Sequence, residues 1–182
     1  MRADARVNRD QILAAAHQVV TKEGADASLR DIARRAEVGL ATLFRHFPTR
    51  EDLMEALLRA SLETLTAKAA ELEASASPDE ALAAWLRDAI AFLRIYNGVV
   101  AMMATALADP TSALHASCDR LRSAGARMLR GAQTQGTVRS DLDGDDLFAL
   151  LGALGWISDQ SAFAPRAERL SEIILKAVIA RR

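Results

Sequence analysis

The stretch from Ser28 to Phe47 constrains this chain more than any other. Leu29, Ile32, Ala33 and Ala36 recur at helical spacing and leave Arg30, Arg34 and Arg35 on the opposite side. Ser28 stands as an N-cap with Asp31 three residues on, the outline of a weak capping box. After a break at Glu37-Val38-Gly39, Gly39 can start a second helix in which Leu43 and Phe47 point inward. Two short helices, a tight turn and a basic outer face make a helix-turn-helix pattern, whose second helix enters a DNA major groove. The same spacing also fits a surface hairpin of two helices in any helical protein.

Helical periodicity continues through the rest of the chain. No alternating run rich in Val, Ile and Thr flanks an Asn-Gly or Asp-Gly turn, and only 4% of the residues are aromatic, so no strand is expected. A helix over 8–23, capped by Asn8 and ended by Gly24, buries Ile12, Leu13, Ala16, Val19 and Val20. Thr49 and Asp52 then open a helix with Leu53, Leu57, Leu58, Leu62 and Leu65 inward. It runs to about Glu73, roughly 30 Å, long enough to join two units. Small residues at 74–78 suggest a hinge. Ser77-Pro78-Asp79-Glu80 follows as a helix start, with Leu82, Trp85, Leu86, Ala89 and Leu93 inward and an end near Tyr96-Asn97-Gly98. An apolar helix over 99–108 is broken at Asp109-Pro110. The next turns Leu114, Cys118, Leu121, Ala124 or Gly125, and Met128 inward, and its Arg120, Arg122, Arg127 and Arg130 read as a solvated face.

The last two helices are expected over 145–160 and 167–180. The first is apolar on two sides: Leu147, Leu150, Leu151 and Leu154 form one stripe, and Phe148, Gly152, Gly155 and Trp156 the other. The second carries Leu170, Ile173, Ile174, Ala177 and Val178. Leu147, Phe148, Leu151, Gly152, Gly155, Trp156, Ile173, Ile174 and Ala177 are therefore the candidate interface of a two-fold four-helix dimer. A fully buried central helix would explain the two stripes as well. The expected fold class is all-α, with about nine helices. A three-helix head over 1–53 is joined by the long helix to a larger bundle over 54–182.

Charge supports this division. The net charge of −1 splits into +3 over residues 1–50 and −4 over the remainder, so the head carries the field suited to phosphates. Arg2 and Arg6 form either a basic arm along a DNA backbone or an inert terminus. One cysteine, Cys118, excludes an intramolecular disulfide and fits a reducing compartment. The N-terminus lacks the apolar core of a signal peptide, and no apolar run reaches the roughly 18 residues of a membrane span. A cytoplasmic protein without membrane contact is expected.

The residues of the head do more than fit a helix-turn-helix. The set comprises Ile12-Leu13-Ala14-Ala15-Ala16, Gly24, Ser28-Leu29-Arg30-Asp31-Ile32-Ala33, Val38-Gly39-Leu40-Ala41-Thr42-Leu43-Phe44-Arg45-His46-Phe47 and Arg50-Glu51-Asp52-Leu53. Together they resemble the TetR family of one-component bacterial regulators. The remainder is similar to that family's variable helical ligand and dimer domain, and Gly136-Thr137-Val138-Arg139-Ser140-Asp141-Leu142 resembles a segment common in its C-terminal halves. The resemblance implies a homodimer on a palindromic double-stranded operator, with recognition helices about one DNA turn apart and repression relieved by a small molecule. Carried over by position, Leu40 and Ala41 would face base edges. Thr42, Phe44, His46 and Arg50 would lie near phosphates, Arg30 would lie against the backbone, and Gly39 and Arg45 would complete the DNA-facing set.

Two departures from the family pattern matter. Phe44 stands where the family usually has Tyr, which removes a phenolic hydrogen bond to phosphate. Gly39 stands where Ser or Thr usually caps the recognition helix. Leu40 and Ala41 cannot donate hydrogen bonds but can contact thymine methyl groups, so operator specificity is expected from such contacts and from DNA shape.

For an effector the candidates are Trp85, Phe92, Tyr96, Met102, Met103, Met128 and Trp156, residues that also build ordinary cores. Few charged side chains fall on the inward stripes, so the ligand would be apolar or amphipathic. No phosphate-binding loop, nucleophile elbow or dinucleotide fingerprint occurs, and neither catalysis nor a cofactor is expected. His115 and Cys118 share a helix face, but two ligands are too few for structural zinc, and no metal is expected. The competing readings are a helical dimeric protein that binds a ligand or partner and has a degenerate DNA head, and, further off, a small helical enzyme.

Overall fold

The computed structural model describes residues 2–23, 27–96 and 98–179, with side chains from Val7 onward. Nine α-helices and no strand occur among the described residues. Helices α1 (Arg2–Glu23), α2 (Leu29–Arg35), α3 (Leu40–His46) and the first part of α4 (Arg50–Ser75) belong to a unit spanning Met1–Ala60. The remainder of α4 belongs to a second unit, Ser61–Arg182. That unit also holds α5 (Pro78–Ile95), α6 (Val99–Ala108), α7 (His115–Thr134), α8 (Gly144–Asp159) and α9 (Ala167–Ile179), with a short 3₁₀ turn at Ala164–Arg166. The division falls inside α4, and the small-residue break at 74–78 is the α4–α5 turn within the second unit rather than a hinge between units. Among the described residues no single helix is long and apolar enough to cross a membrane.

In the first unit α1 begins at Arg2, six residues before the expected cap, so Asn8 lies inside the helix. The intervening Ala and Arg residues are good helix formers and nothing there stops the turn. The terminator expected at Gly24 and the side chains of Arg2 and Arg6 lie outside the described set. Ile12, Ala16, Val19 and Val20 are buried as their spacing requires, joined by Ala15, while Leu13 is only half-buried.

Capping follows the sequence unevenly. Ser28 is the N-cap of α2 but makes no side-chain cap, and the Asp31 carboxylate, the other arm of the expected box, accepts from Arg34 Nη2 at 2.6 Å. Thr49 and Asp52 do form the reciprocal pair at the start of α4. The Thr49 amide donates to Asp52 Oδ2 at 3.0 Å, and the Asp52 amide donates to Thr49 Oγ1 at 3.0 Å. The Ser77 hydroxyl donates to the Glu80 carboxylate at 2.8 Å rather than capping α5, which is started by Pro78. Helix α8, expected from 145, begins at Gly144 behind a capping box in which Asp143 accepts from the amides of Asp145 and Asp146, both at 2.9 Å.

The second unit is organised around Trp85 of α5. Its ring is 1% exposed, and Nε1 donates to the Leu65 carbonyl of α4 at 3.1 Å. That bond meets the indole's need for a partner when buried. Helix α7 runs beneath this ring with Gly125, where a Cβ would stand 2.7 Å from the indole. The arginines of α7 form the solvated face that their positions suggest. Arg127 grips Glu73 of α4 through Nε and Nη2, both at 3.0 Å, and Arg122 bridges Asp119 and Asp145. Cys118 is fully buried, and burial pushes its thiol up from the ordinary range. His115 does not join it in a site: Nδ1 donates to the Ala106 carbonyl at 2.9 Å.

Candidate nucleic-acid interface

The turn between α2 and α3 fixes the geometry of the head. The Glu37 amide donates to the Arg34 carbonyl at 3.1 Å, and the Val38 amide donates to the Ala33 carbonyl at 3.0 Å. These paired bonds are a Schellman motif, which requires a left-handed residue just past the helix. That residue is Glu37, with φ +55°, not the glycine two positions on. Gly39 is extended (φ −68°, ψ 148°) and serves as the N-cap of α3 without a side chain. Left-handed backbone costs a residue with a Cβ about 1–2 kcal/mol, so Glu37→Gly is expected to raise stability by up to about 1 kcal/mol after its larger unfolded-state entropy is counted. Glu37→Val should lower it by about 1–2 kcal/mol. Thermal unfolding of both variants checks the sign, and a loss with glycine would refute the left-handed turn.

Helix α3 is seated by two inward residues. Leu43 is fully buried and Phe47 nearly so, four residues apart as expected. The Arg9 guanidinium of α1 lies 5.2 Å from the centre of the Phe47 ring, a cation–π contact. Arg35 Nε of α2 donates to Gln18 Oε1 of α1 at 2.6 Å. These contacts leave one side of α3 turned outward: Ala41, Phe44 and Arg45 are exposed, with Leu40, Thr42 and His46 half-buried. Phe44 is 42% exposed, a large apolar ring held in solvent. Arg45 Nη2 reaches Thr42 Oγ1 at 3.3 Å, and Arg30 on α2 is also exposed.

Arg50 departs from its expected place. Its Nη2 donates to the Ala27 carbonyl at 2.7 Å, tying the start of α4 to the segment before α2. Part of its hydrogen-bonding capacity thus serves the fold of the head.

The second unit contains an apolar cavity of about 340 Å³. It is bordered by Leu65 of α4, Phe92 of α5, Met103 and Leu107 of α6, and Phe148 and Gly152 of α8, among others. Of the seven residues that composition suggested for a ligand, only Phe92 and Met103 border it. Trp85 and Met128 are core, and Met102 and Trp156 face outward. The Tyr96 ring lies tilted by 51° against Phe92, their centres 5.1 Å apart, while its hydroxyl lies 3.1 Å from Ser61 Oγ. Burial holds this phenol above its ordinary pKa, an effect the Ser61 bond lessens.

The structure also redistributes the expected dimer face. Leu147 and Leu151 are buried in the unit's own core. Gly155 packs against Val100 of α6 and Leu93 of α5, so its missing side chain admits a helix of the same chain. Phe148 and Gly152 border the cavity and Ile174 is half-buried. Trp156 (55% exposed), Ile173 (51%) and Ala177 are the members of the set that remain outward. Leu65, Leu107 and Phe148 carried no ligand signal in the sequence, since each fits an ordinary core stripe. Among the described residues no group of three His, Cys, Asp or Glu side chains could hold a metal ion.

An all-helical chain whose head seats a short outward-facing helix behind a tight turn is a helix-turn-helix protein. Its relatives make the assignment narrower. The profile of the bacterial regulatory proteins of the tetR family matches residues 12–57, and that of the C-terminal domain of SbtR-like transcriptional regulators matches 77–178. The chain belongs to the TetR family of bacterial transcriptional regulators. The TetR regulator SCO0520 of Streptomyces coelicolor is similar over 94% of this chain and 98% of its own, with 36% identity and a TM-score of 0.71. A TetR regulatory protein of Mycobacterium vanbaalenii is 30% identical over 98% of this chain and 99% of its own, with a TM-score of 0.62. An HTH-type transcriptional regulator of Staphylococcus aureus (strain USA300) is 36% identical over 64 residues, a match that spans only 35% of either chain. These relatives are described as transcriptional regulators, not as enzymes.

Proposed function

We propose that this chain binds a palindromic operator as a homodimer, represses transcription there, and is released when a small molecule occupies the cavity of the second unit. The observation that carries the reading is α3, seated by Leu43 and Phe47 and presenting Ala41, Phe44 and Arg45 outward. Arg30 and Arg45 supply charge for phosphates, while Leu40 and Ala41 contact thymine methyls and Gly39 leaves the backbone before α3 open. Thr42 and His46 flank this surface, and Phe44 packs against the sugar-phosphate chain without a hydrogen bond. Trp156, Ile173 and Ala177 give α8 and α9 an apolar face for a two-fold partner. Release requires that the effector bind more tightly to a conformation unfit for the operator; equal affinity for both states would shift nothing.

Selection of genomic fragments followed by salt-dependent gel shift tests this directly. In the double variant Arg30→Ala, Arg45→Ala four phosphate contacts would be lost per dimer. Operator affinity should fall by roughly tenfold or more, and the slope of log K against log salt should become shallower by about four. Arg50→Ala is a poor substitute because the Ala27 bond ties it to folding. Unchanged affinity and slope in the double variant, or no specific retention of any fragment by the parent chain, would overturn the proposal.

A further inference from the structure

We infer that the cavity of the second unit takes a compact uncharged molecule of about a dozen heavy atoms, held by apolar contact with its side chains, a bicyclic or branched hydrocarbon in character. The inference rests on the reading of this cavity as the effector site and narrows its ligand to one chemical class. Five helices wall the space, and every bordering side chain is aliphatic, aromatic or thioether. The ring polar groups of Trp85, Tyr96 and His115, on or beside these helices, are already engaged. Trp85 Nε1 is bonded to the Leu65 carbonyl, the Tyr96 hydroxyl to Ser61, and His115 Nδ1 to the Ala106 carbonyl. The bordering residues all lie in helices, so their amides and carbonyls are largely spent there, apart from end-turn groups such as the Leu107 carbonyl, to which Pro110 offers no amide and Thr111 none that is free. A carboxylate or ammonium pressed against these walls would shed hydration and find no side-chain partner to replace it.

Size narrows the class further. A dry apolar cavity of about 150 Å³ accepts benzene. The volume here, about 340 Å³, is a little over twice that. Two fused six-membered rings fit such a space, and Met103 has the rotational freedom to close around their edge. Gly152 is the place where the wall can be moved. A Cβ there would meet Val100 Cγ1 at 3.8 Å, an ordinary contact, so a longer side chain can grow into the cavity instead of clashing with a helix.

Naphthalene and 2-naphthoate at pH 7 make a matched pair of probes, read on the full chain by titration calorimetry and thermal melting. Naphthalene is expected to bind on the order of 100-fold more tightly than 2-naphthoate and to raise the melting temperature. Gly152→Leu should weaken naphthalene binding by about tenfold or more while melting no lower than the parent chain without ligand. Gly152→Ala provides the intermediate case should the leucine variant fold poorly. Equal affinity for the naphthoate, no naphthalene binding, or undiminished binding in a folded Gly152→Leu variant would overturn the inference. Operator retention is scored separately. Naphthalene binding that leaves retention unchanged would sink release by this ligand but uphold the cavity's chemistry, and operator binding without naphthalene binding would overturn the cavity's chemistry while leaving the DNA-binding reading intact.

Discussion

Leu43→Ala is expected to unfold the DNA-reading head and abolish operator binding without touching any residue that faces DNA. Leu43 has no exposed surface and anchors α3 from within the first unit. Truncating a fully buried leucine costs about 2–5 kcal/mol, the removed carbons and the remaining cavity together. A core of this size rarely supplies more than about 3–5 kcal/mol in total, so the loss rivals the unit's whole stability. Limited proteolysis should cut within residues 1–60 at conditions where the parent resists, and gel shift should show no retained operator. Phe44→Ala, four-tenths exposed on the same helix, is the counterpart. It should leave protease resistance unchanged within about 0.5 kcal/mol and weaken only DNA binding. A Leu43→Ala chain that still resists protease and binds operator would show that α3 is seated by something else.

Two glycines of α7 should respond oppositely to the same substitution. In a helix interior Gly→Ala ordinarily gains about 1 kcal/mol. Gly131 has nothing within 4 Å of where a Cβ would stand, so Gly131→Ala should be stabilising by about 0.5–1 kcal/mol. Gly125 has the Trp85 ring 2.7 and 3.0 Å from that point. The ring cannot retreat cheaply, because it is buried and its Nε1 is held by the Leu65 carbonyl. Overpacking of this kind costs about 1–3 kcal/mol, which exceeds the propensity gain, so Gly125→Ala should be destabilising by about 1–2 kcal/mol net. Urea unfolding of the two variants beside the parent gives both signs in one experiment. Stabilisation by Gly125→Ala would mean that Trp85 is loosely held.

Helix existence and inward faces were legible because they rest on spacing alone. Leu53, Leu57, Leu58, Leu62 and Leu65 are all buried, as their recurrence along α4 requires. Caps were legible where no competing partner was in reach and where the helix did not start earlier, as it does before Asn8. Thr49 and Asp52 found each other, whereas Asp31 was taken by Arg34 and Ser77 by Glu80. The left-handed turn carried no sequence signal, since glutamate is an uncommon choice there, whereas Gly39 was legible as the start of α3 and is its N-cap. The cavity was illegible for a different reason. It is a gap among five helices, and nothing in the local pattern around Leu65 or Phe148 distinguishes its wall from a filled core. Gly152 and Gly155 show the limit well. They sit three residues apart on α8 and look alike in sequence, yet one borders empty space and the other is filled by Val100 and Leu93.

The two tryptophans make the second unit its own spectroscopic gauge. Trp85 is enclosed and hydrogen-bonded to a main-chain carbonyl, while Trp156 stands 55% exposed on α8. The chain's intrinsic emission therefore has a blue, quencher-resistant fraction from the interior and a red, iodide-accessible fraction from the face proposed for pairing. Denaturation moves the first toward the red; a partner settling over α8 and α9 moves the second toward the blue. Subunit association and loss of the core thus shift the spectrum in opposite directions, and a dilution series can be followed without a label.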